Sequence, residues 1–300
     1  MAVSAWVPGD SVMAVRVAKA LAISCLHSVH VWLRMVMSAW WRGTSLLELV
    51  GLGTQRPRSH YARAMARLPD RWVRMSVNHS VVDADSGCFI VAVPKNGCTT
   101  IKTVFCEATG RPVPIREHVH PREHNGIPQL LDLPTVERLR LLMGEGWIRV
   151  TTTRDPVARL ESGFRSKFCD PRKRPTYVQA MANRGGTIRD SGEPRYEDFV
   201  DWVASTPDHR RDPHWRSQTA VMLFDEIRYD HVLRLETLSA DLLWLLSLLG
   251  VDMDAAKEMA GRRANMSPTA PLSTDKGLLR IIRDAYAADY EKLGYPDPLG

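Results

Sequence analysis

One short segment, CFIVAVPKNGCTT (residues 88–100), constrains the fold more than any other part of the chain. Its first six residues form a continuous apolar run, which is typical of a strand buried on both faces of a sheet. After Pro94 and Lys95, the residues TTIKTVFCEAT (99–109) have the pattern of a helix. A strand that passes through a tight loop into a helix directs backbone N–H groups and the positive helix end at one place, where anions bind.

The rest of the chain alternates between strand and helix patterns. WIRVTTTR (147–154) predicts a second strand, and DPVARLESGFRSKF (155–168) predicts a helix with Asp155 as N-cap and Pro156 in its first turn. HVLRLETL (231–238) predicts a third strand. Further helices are expected at YEDFVDWVAS, SADLLWLLSLLG and KGLLRIIRDAYAADYEKLG. This alternation predicts an α/β fold with a central parallel sheet flanked by helices.

The first 80 residues have a different character from the remainder. Residues 12–42 are largely apolar, with Arg and His at helical spacing, and predict an amphipathic helix followed by an irregular linker. The stretch Ala20 to Leu33, 14 residues without Lys or Arg, is shorter than the roughly 20 that span a bilayer. The helix could pack on the protein or make peripheral membrane contact. We therefore expect an N-terminal region, 1–80, and a catalytic domain, 81–300.

The amino-acid composition limits the classes of ligand that the protein could bind and the cellular compartments that it fits. A net charge of +6 and an excess of Arg suit anionic ligands, but no nucleic-acid-binding motif is present and no nucleic acid is expected. The five cysteines are odd in number and form no CxxC pair, so neither a disulfide framework nor a structural zinc site is predicted. A reducing, cytoplasmic compartment fits best, with membrane association or an N-terminal membrane anchor as alternatives.

The loop after the first strand predicts an anion site that needs no metal. Gly97 permits close backbone approach, Thr99 and Thr100 offer hydroxyl donors, and Lys95 adds a full charge. A nucleotide-hydrolysing phosphate-binding loop would need GxxxxGK[ST] and a nearby acidic residue for Mg²⁺. Here the Lys precedes the Gly, and the second strand ends in Arg154. Arg154 and Ser162 are spaced so that they could hold a second phosphate.

Taken together, these segments resemble the PAPS-dependent sulfotransferases, where PAPS is 3′-phosphoadenosine 5′-phosphosulfate. The likeness is closest to the carbohydrate sulfotransferases of the chondroitin 4-O type. Their PK-x-x-CTNWKR resembles PKNGCTTIKT, and their REPFERLVSAYRNKF resembles RDPVARLESGFRSKF (154–168). Shorter likenesses follow at EHV (117–119), PHW (213–215), LETLSAD (235–241) and the terminal YAADYEKLGY, so that the resemblance covers residues 86 to 296.

The resemblance implies a P-loop-like three-layer fold and a role for each motif. Lys95 would stabilise the leaving phosphate, Arg154 and Ser162 would bind the 3′-phosphate, and His118, or failing that His214, would be the base. His120 and His124 lie close behind these two as candidates. The backbone that would cradle the 5′-phosphosulfate comprises Asn96, Gly97, Cys98, Thr99 and Thr100. The implied acceptor is a hydroxyl of a carbohydrate or glycolipid.

Two departures from the family pattern leave the acceptor open. Thr100 and Ile101 replace an Asn-Trp pair, and SQTAVMLF (217–224) stands where the animal enzymes have paired cysteines. Residues 169–195 have the composition of a variable, mobile insertion. A nucleotide-dependent kinase and a non-catalytic membrane-associated protein of the same fold are the alternative functions, and the oligomeric state is left open.

Overall fold

The computed structural model describes residues 79–111, 119–120, 126–143, 146–189, 192–261 and 271–300. The helix predicted over 12–42 and the linker after it, to residue 78, lie outside these ranges, as do His118 and His124. Within them, no helix is both long and apolar enough to cross a bilayer.

Four strands form one sheet in the order of the chain: β1 (Ser80–Asp83), β2 (Cys88–Val91), β3 (Ile148–Thr153) and β4 (His231–Arg234). The three predicted strands are confirmed, and β2, β3 and β4 are parallel. The sheet as a whole is mixed rather than parallel, because β1 pairs antiparallel with β2. The short link between β1 and β2 allows only a hairpin, and in it the Asp83 carboxylate accepts from the Ser86 N–H and hydroxyl at 3.0 and 2.7 Å.

Helices cover both faces of the sheet, which explains the continuous apolar run of β2. Phe89 and Val91 pack in a core on one face, whereas Cys88 and Ile90 pack in a second core on the other. All four side chains are fully buried. Successive residues of a strand point to opposite faces, so a strand between two helical layers is apolar throughout. The predicted three-layer α/β arrangement is thus observed in the described residues.

The predicted helices are observed apart from two details, and the chain also forms helices at Thr135–Met143, Gln218–Val221 and Met253–Gly261 that were not predicted. In chain order they are α1 (Cys98–Ala108), α2 (Thr135–Met143), α3 (Pro156–Phe168), α4 (Arg174–Ala182), α5 (Tyr196–Ser205), α6 (Gln218–Val221), α7 (Leu238–Leu248), α8 (Met253–Gly261), α9 (Lys276–Ala285) and α10 (Ala287–Leu293).

The first detail is that the C-terminal pattern forms two helices, α9 and α10, separated at Tyr286. The second is that the predicted insertion contains a helix of its own, α4, whose Met181 is fully buried in the core. Asp155 caps α3 as predicted, since its side chain accepts the Ala158 N–H at 2.8 Å and Pro156 is the first helical residue.

Candidate active site

The predicted anion loop lies where the parallel strands β2 and β3 both end. Val91 pairs with Thr151, so the loop after β2 and Arg154 after β3 leave the sheet at the same edge. Cross-strand bonds hold the two exits together, because the Val93 N–H donates to Thr152 Oγ1 at 3.0 Å. In α/β sheets this carboxyl edge is where ligands bind.

The loop itself has two residues in the left-handed region. Gly97 has a φ of 80° and Lys95 a φ of 73°. For Lys95 this conformation is unfavourable, and such residues cluster at functional sites. Gly97 is the N-cap of α1, and a Cβ there would lie 3.0 Å from Leu235 Cδ1. The loop therefore brings backbone close to its neighbours, and the first N–H groups of α1 have no acceptor within the helix.

Gln218 connects the loop to the end of β3. Its Oε1 accepts from Asn96 Nδ2 at 2.7 Å and from the Arg154 N–H at 2.9 Å, and its Nε2 donates to the Arg154 carbonyl at 2.8 Å. Asn96 Nδ2 also donates to the Thr152 carbonyl at 2.8 Å, and the Asn96 N–H donates to the Val93 carbonyl at 3.2 Å. The Asn96 side chain thus fixes the shape of the loop.

A single buried guanidinium joins three segments around the loop. Arg159 of α3 is 1% exposed. Its Nε donates to the Pro94 carbonyl at 3.1 Å, Nη2 to the Pro213 carbonyl at 2.8 Å and Nη1 to the Arg216 carbonyl at 2.7 Å. Pro94 directly precedes Lys95, and the other two carbonyls flank His214. Arg159 therefore places the lysine loop and the PHW segment side by side.

Two residues near the C-terminus, Tyr286 and Asp289, hydrogen-bond to the segment that carries the PHW motif and Gln218. Asp289 is fully buried and accepts from the N–H groups of Gln218 and Thr219 at 2.8 and 2.9 Å. Tyr286 donates its hydroxyl hydrogen to the Trp215 carbonyl. The terminal YAADY segment, which the resemblance singled out, thus positions Gln218 and the PHW segment.

Glu236 accepts a hydrogen bond from the turn that follows β3. Its Oε1 accepts the Asp155 N–H at 2.8 Å, and Tyr295 Oη lies 3.2 Å from its Oε2 and 3.1 Å from Thr153 Oγ1. These contacts fix the turn between β3 and α3, which presents Arg154.

Positive charge is concentrated at the loop. Arg154 Nη1 donates to the Lys95 carbonyl at 3.3 Å. Burial, with the charges of Lys167, Arg154 and Lys173, lowers the pKa of Lys95 to about 8, against a smaller opposing effect of Cys98. Cations that are desolvated and repel one another favour a bound anion, and a divalent anion would relieve both penalties. Ser162 is buried in α3, and its phosphate-binding role stays a prediction.

His120 contacts the first turn of α1. Its Nε2 lies 3.1 Å from Thr99 Oγ1 and 4.0 Å from Cys98 Sγ. Burial would raise the pKa of the Cys98 thiol, but the His120 contact and nearby charges outweigh it, so that the pKa falls to about 7. Thr99 and Cys98 therefore face a histidine as well as the anion site.

His214 has the surroundings of a general base. Its Nδ1 lies 2.6 Å from Asp212 Oδ1. Burial lowers the pKa of His214, and Lys167 and Lys95 contribute in the same direction, while Asp212 opposes them. The ring is therefore neutral at neutral pH. Within the described ranges, no group of three or more His, Cys, Asp or Glu side chains could hold a metal ion.

Comparison with known proteins agrees with this geometry. A model described as "Sulfotransferase family" matches residues 78–296, more than half of the chain. The chain belongs to the sulfotransferase family. Carbohydrate sulfotransferase 11 of Mus musculus is 25% identical to this chain over 194 residues, 58% of this chain and 54% of that protein.

Two further relatives are also carbohydrate sulfotransferases. Carbohydrate sulfotransferase 10 of Mus musculus is 31% identical over 179 residues, 53% of this chain and 49% of that protein. Carbohydrate sulfotransferase 12 of Mus musculus is 27% identical over 259 residues, 74% of this chain and 61% of that protein. The chain spans about half the length of the first of these relatives. No solved structure matches it significantly.

Four residues of the site escaped the sequence interpretation. Arg159 belongs to the RDPxxRxxS pattern, yet its burial gives no sequence signal. Gln218 and Asp289 are brought to the site from distant segments, so spacing could not reveal them. Asp212 could have been found, because an acidic residue two positions before a candidate base is a pattern that orients imidazoles.

Proposed function

We propose that the protein transfers a sulfuryl group from PAPS to a hydroxyl of a carbohydrate or glycolipid acceptor by in-line displacement. The observation that carries the proposal is the contact between Arg154 and the Lys95 loop at the carboxyl edge of the sheet. It joins the two motifs that the family uses for the two phosphate ends of its donor. Membership of the sulfotransferase family and the names of its relatives support the same chemistry.

The residues present fit this donor. Two left-handed residues and the first turn of α1 form a concave backbone, and a Cβ at Gly97 would crowd Leu235. Arg154, Lys167 and Lys173 lie close enough to Lys95 to lower its pKa. PAPS, when bound, supplies a sulfuryl group on a phosphate leaving group. An anion site without a metal ion needs no metal-binding carboxylate after β3, and Arg154 lies at that position instead.

The chain's own residues then have distinct tasks. Lys95 would hold positive charge at Nζ where negative charge develops on the leaving oxygen, and backbone N–H groups from Gly97 to Thr100 would bind the anion. Arg154 and Ser162 would bind the 3′-phosphate. A histidine would accept the proton of the acceptor hydroxyl. Positioning and electrostatic stabilisation of this kind provide most of the rate in comparable group transfers.

Titration calorimetry with adenosine 3′,5′-bisphosphate, beside ATP with Mg²⁺, tests the donor class. We expect preferential binding of the bisphosphate. Arg154→Ala should weaken it by about 10- to 100-fold, because a charge-assisted phosphate contact is lost. Arg172→Ala is the matched control, since the Arg172 side chain is 82% exposed. Preference for ATP would favour the kinase alternative, and no binding by folded protein would favour the non-catalytic one.

Transfer of ³⁵S-labelled sulfate from PAPS to chemically desulfated chondroitin, with Lys95→Ala beside wild type, tests catalysis. We expect label in the polysaccharide with wild type and a loss of about 100-fold or more with the variant. Bisphosphate binding together with no transfer to this polysaccharide, to glycolipids or to water would contradict an enzymatic role.

A further inference from the structure

An aspartate and a histidine, three positions and one position before the tryptophan of the PHW segment, make a close pair. Asp212 Oδ1 lies 2.6 Å from His214 Nδ1 and accepts the backbone N–H of His214 at 2.9 Å. An ionised carboxylate can only accept hydrogen bonds, so Nδ1 carries the proton. The lone pair of the ring is then on Nε2, which is the tautomer that a base needs.

The backbone around the pair is fixed from both sides. Arg159 binds the carbonyls of Pro213 and Arg216, on either side of His214, and the carbonyl of Pro94 next to Lys95. A Cβ at Gly163 in α3 would lie 3.3 Å from the His214 carbonyl oxygen, so this close approach depends on glycine. The backbone that carries the imidazole is consequently held beside the lysine loop by buried contacts.

Charged groups from each neighbouring element act on this ring. Lys95 comes from the loop, Lys167 from α3 and Asp212 from the ring's own segment. His79, before β1, is close enough for the charge of His214 to lower its pKa, after the larger effects of burial and Lys102. The Asp212 pKa is lowered even though burial opposes this, because His214 and Lys167 stabilise the carboxylate. The pair is therefore a carboxylate and a neutral imidazole near pH 7.

We infer that His214 is the base of sulfuryl transfer and that Asp212 is the residue that positions it. The inference rests on the proposed function. His214 Nε2 accepts the acceptor's hydroxyl proton as the hydroxyl oxygen bonds to sulfur. The electron pair of the broken S–O bond leaves on the donor's phosphate oxygen, so atoms and charge balance. Of the two histidines that the resemblance favoured, this assigns the base to the second.

The tautomer of His214 is the primary test. Long-range ¹H–¹⁵N spectra of the full chain with ¹⁵N-labelled histidine, assigned with His214→Gln, should show the Nδ1–H form in wild type. Asp212→Asn removes the acceptor charge while keeping the side-chain size, and it should move the ring toward the Nε2–H form. Asp254→Asn, at a carboxylate whose side chain is 91% exposed, should leave the spectrum unchanged. An Nε2–H ring in wild type would overturn the inference.

Kinetic measurements distinguish a role of Asp212 in positioning His214 from a role in the stability of the fold. Sulfate transfer from PAPS is measured with desulfated chondroitin as the acceptor, or with water if the polysaccharide accepts no sulfate. Asp212→Asn and His214→Gln should each lower kcat by about 100-fold or more. Bisphosphate affinity should remain within about twofold. Because Asp212 raises the pKa of His214, its removal should shift the acidic limb of the pH profile to lower pH. His209→Gln, at an exposed histidine, is the control.

The outcomes distinguish this inference from the proposed function. A wild type that binds no bisphosphate would contradict the proposed function itself. A wild type that binds bisphosphate and transfers sulfate, with an Asp212→Asn variant of unchanged kcat and tautomer, would overturn only the role of Asp212. Loss of activity in His118→Gln with full activity in His214→Gln would overturn the assignment of the base.

Discussion

The lysine loop and segment 169–195 are held by opposite kinds of interaction. Buried hydrogen bonds between residues far apart in sequence hold the loop: Asn96 and Gln218 are 122 positions apart, and Arg159 and Pro94 are 65 apart. The described part of segment 169–195 contains exposed and mostly local pairs, such as Gln179 with Asn183 at 2.8 Å. Met181 anchors this segment in the core.

This difference indicates where the molecule is rigid and where it can vary. Breaking a buried hydrogen bond leaves a desolvated partner unsatisfied, whereas solvent replaces a broken surface pair. The donor site therefore depends on contacts that tolerate little change. Segment 169–195 can change sequence at small cost in stability.

The largest effect is expected from Arg159→Met. This change leaves three backbone carbonyls in the buried region without their donor, and we expect a loss of about 3 kcal/mol or more in the free energy of unfolding. Urea denaturation followed by circular dichroism measures it. Arg172→Met in the contrasting segment should cost less than about 0.5 kcal/mol. Equal losses in the two variants would remove the distinction between the regions.

The next effect is expected from Gln218→Leu, which removes the link between Asn96 and Arg154 at similar volume. We expect a loss of about 2 kcal/mol in unfolding free energy. Bisphosphate binding should also weaken, because the loop and Arg154 are no longer held in register. Gln179→Leu is the matched control, since its amide pairs with Asn183 at the surface. A stable Gln218→Leu with full affinity would show that the loop keeps its shape unaided.

A smaller effect concerns the pH dependence of donor-site binding. The pKa of Lys95 in the folded protein is lowered to about 8, so its charge is present below that pH and lost above it. Bisphosphate affinity should be level below pH 8 and fall by up to about tenfold per pH unit above it. Calorimetry between pH 6.5 and 9.5, a range of about three units, would detect this. Lys95→Met should remove the decrease in bisphosphate affinity above pH 8. A decrease that persists in this variant would come from another titrating group.

The smallest effect is expected from Arg189→Gln in the contrasting segment. Arg189 makes a bidentate pair with Asp198 at 2.7 and 3.0 Å, but 43% of its side chain is exposed. Its loss should lower the free energy of unfolding slightly at low salt and not measurably near 1 M salt. Denaturation at the two salt concentrations tests this, and a cost above about 2 kcal/mol would place this segment in the same class as the loop.

The sequence by itself predicted three of the four strands, the main helices and the motifs that we propose for donor binding. The apolar run of β2, the Asp155–Pro156 start of α3 and the Lys95 loop each carry their signal within a few adjacent residues. Local patterns of this kind reflect backbone preference and burial period, which act over one or two turns. The antiparallel β1 was missed because its four residues, SVVD (80–83), form too short a pattern.

Only the tertiary structure decided which side chains support the site. Arg159 belongs to α3, Asp212 to the segment before α6, Gln218 to α6 and Asp289 to α10. The fold brings all four to one edge of the sheet. Hydrogen bonds between distant segments have no fixed spacing in sequence, so no local pattern predicts them. The sequence therefore identified the residues that would meet the donor, and the fold identified those that hold them in place.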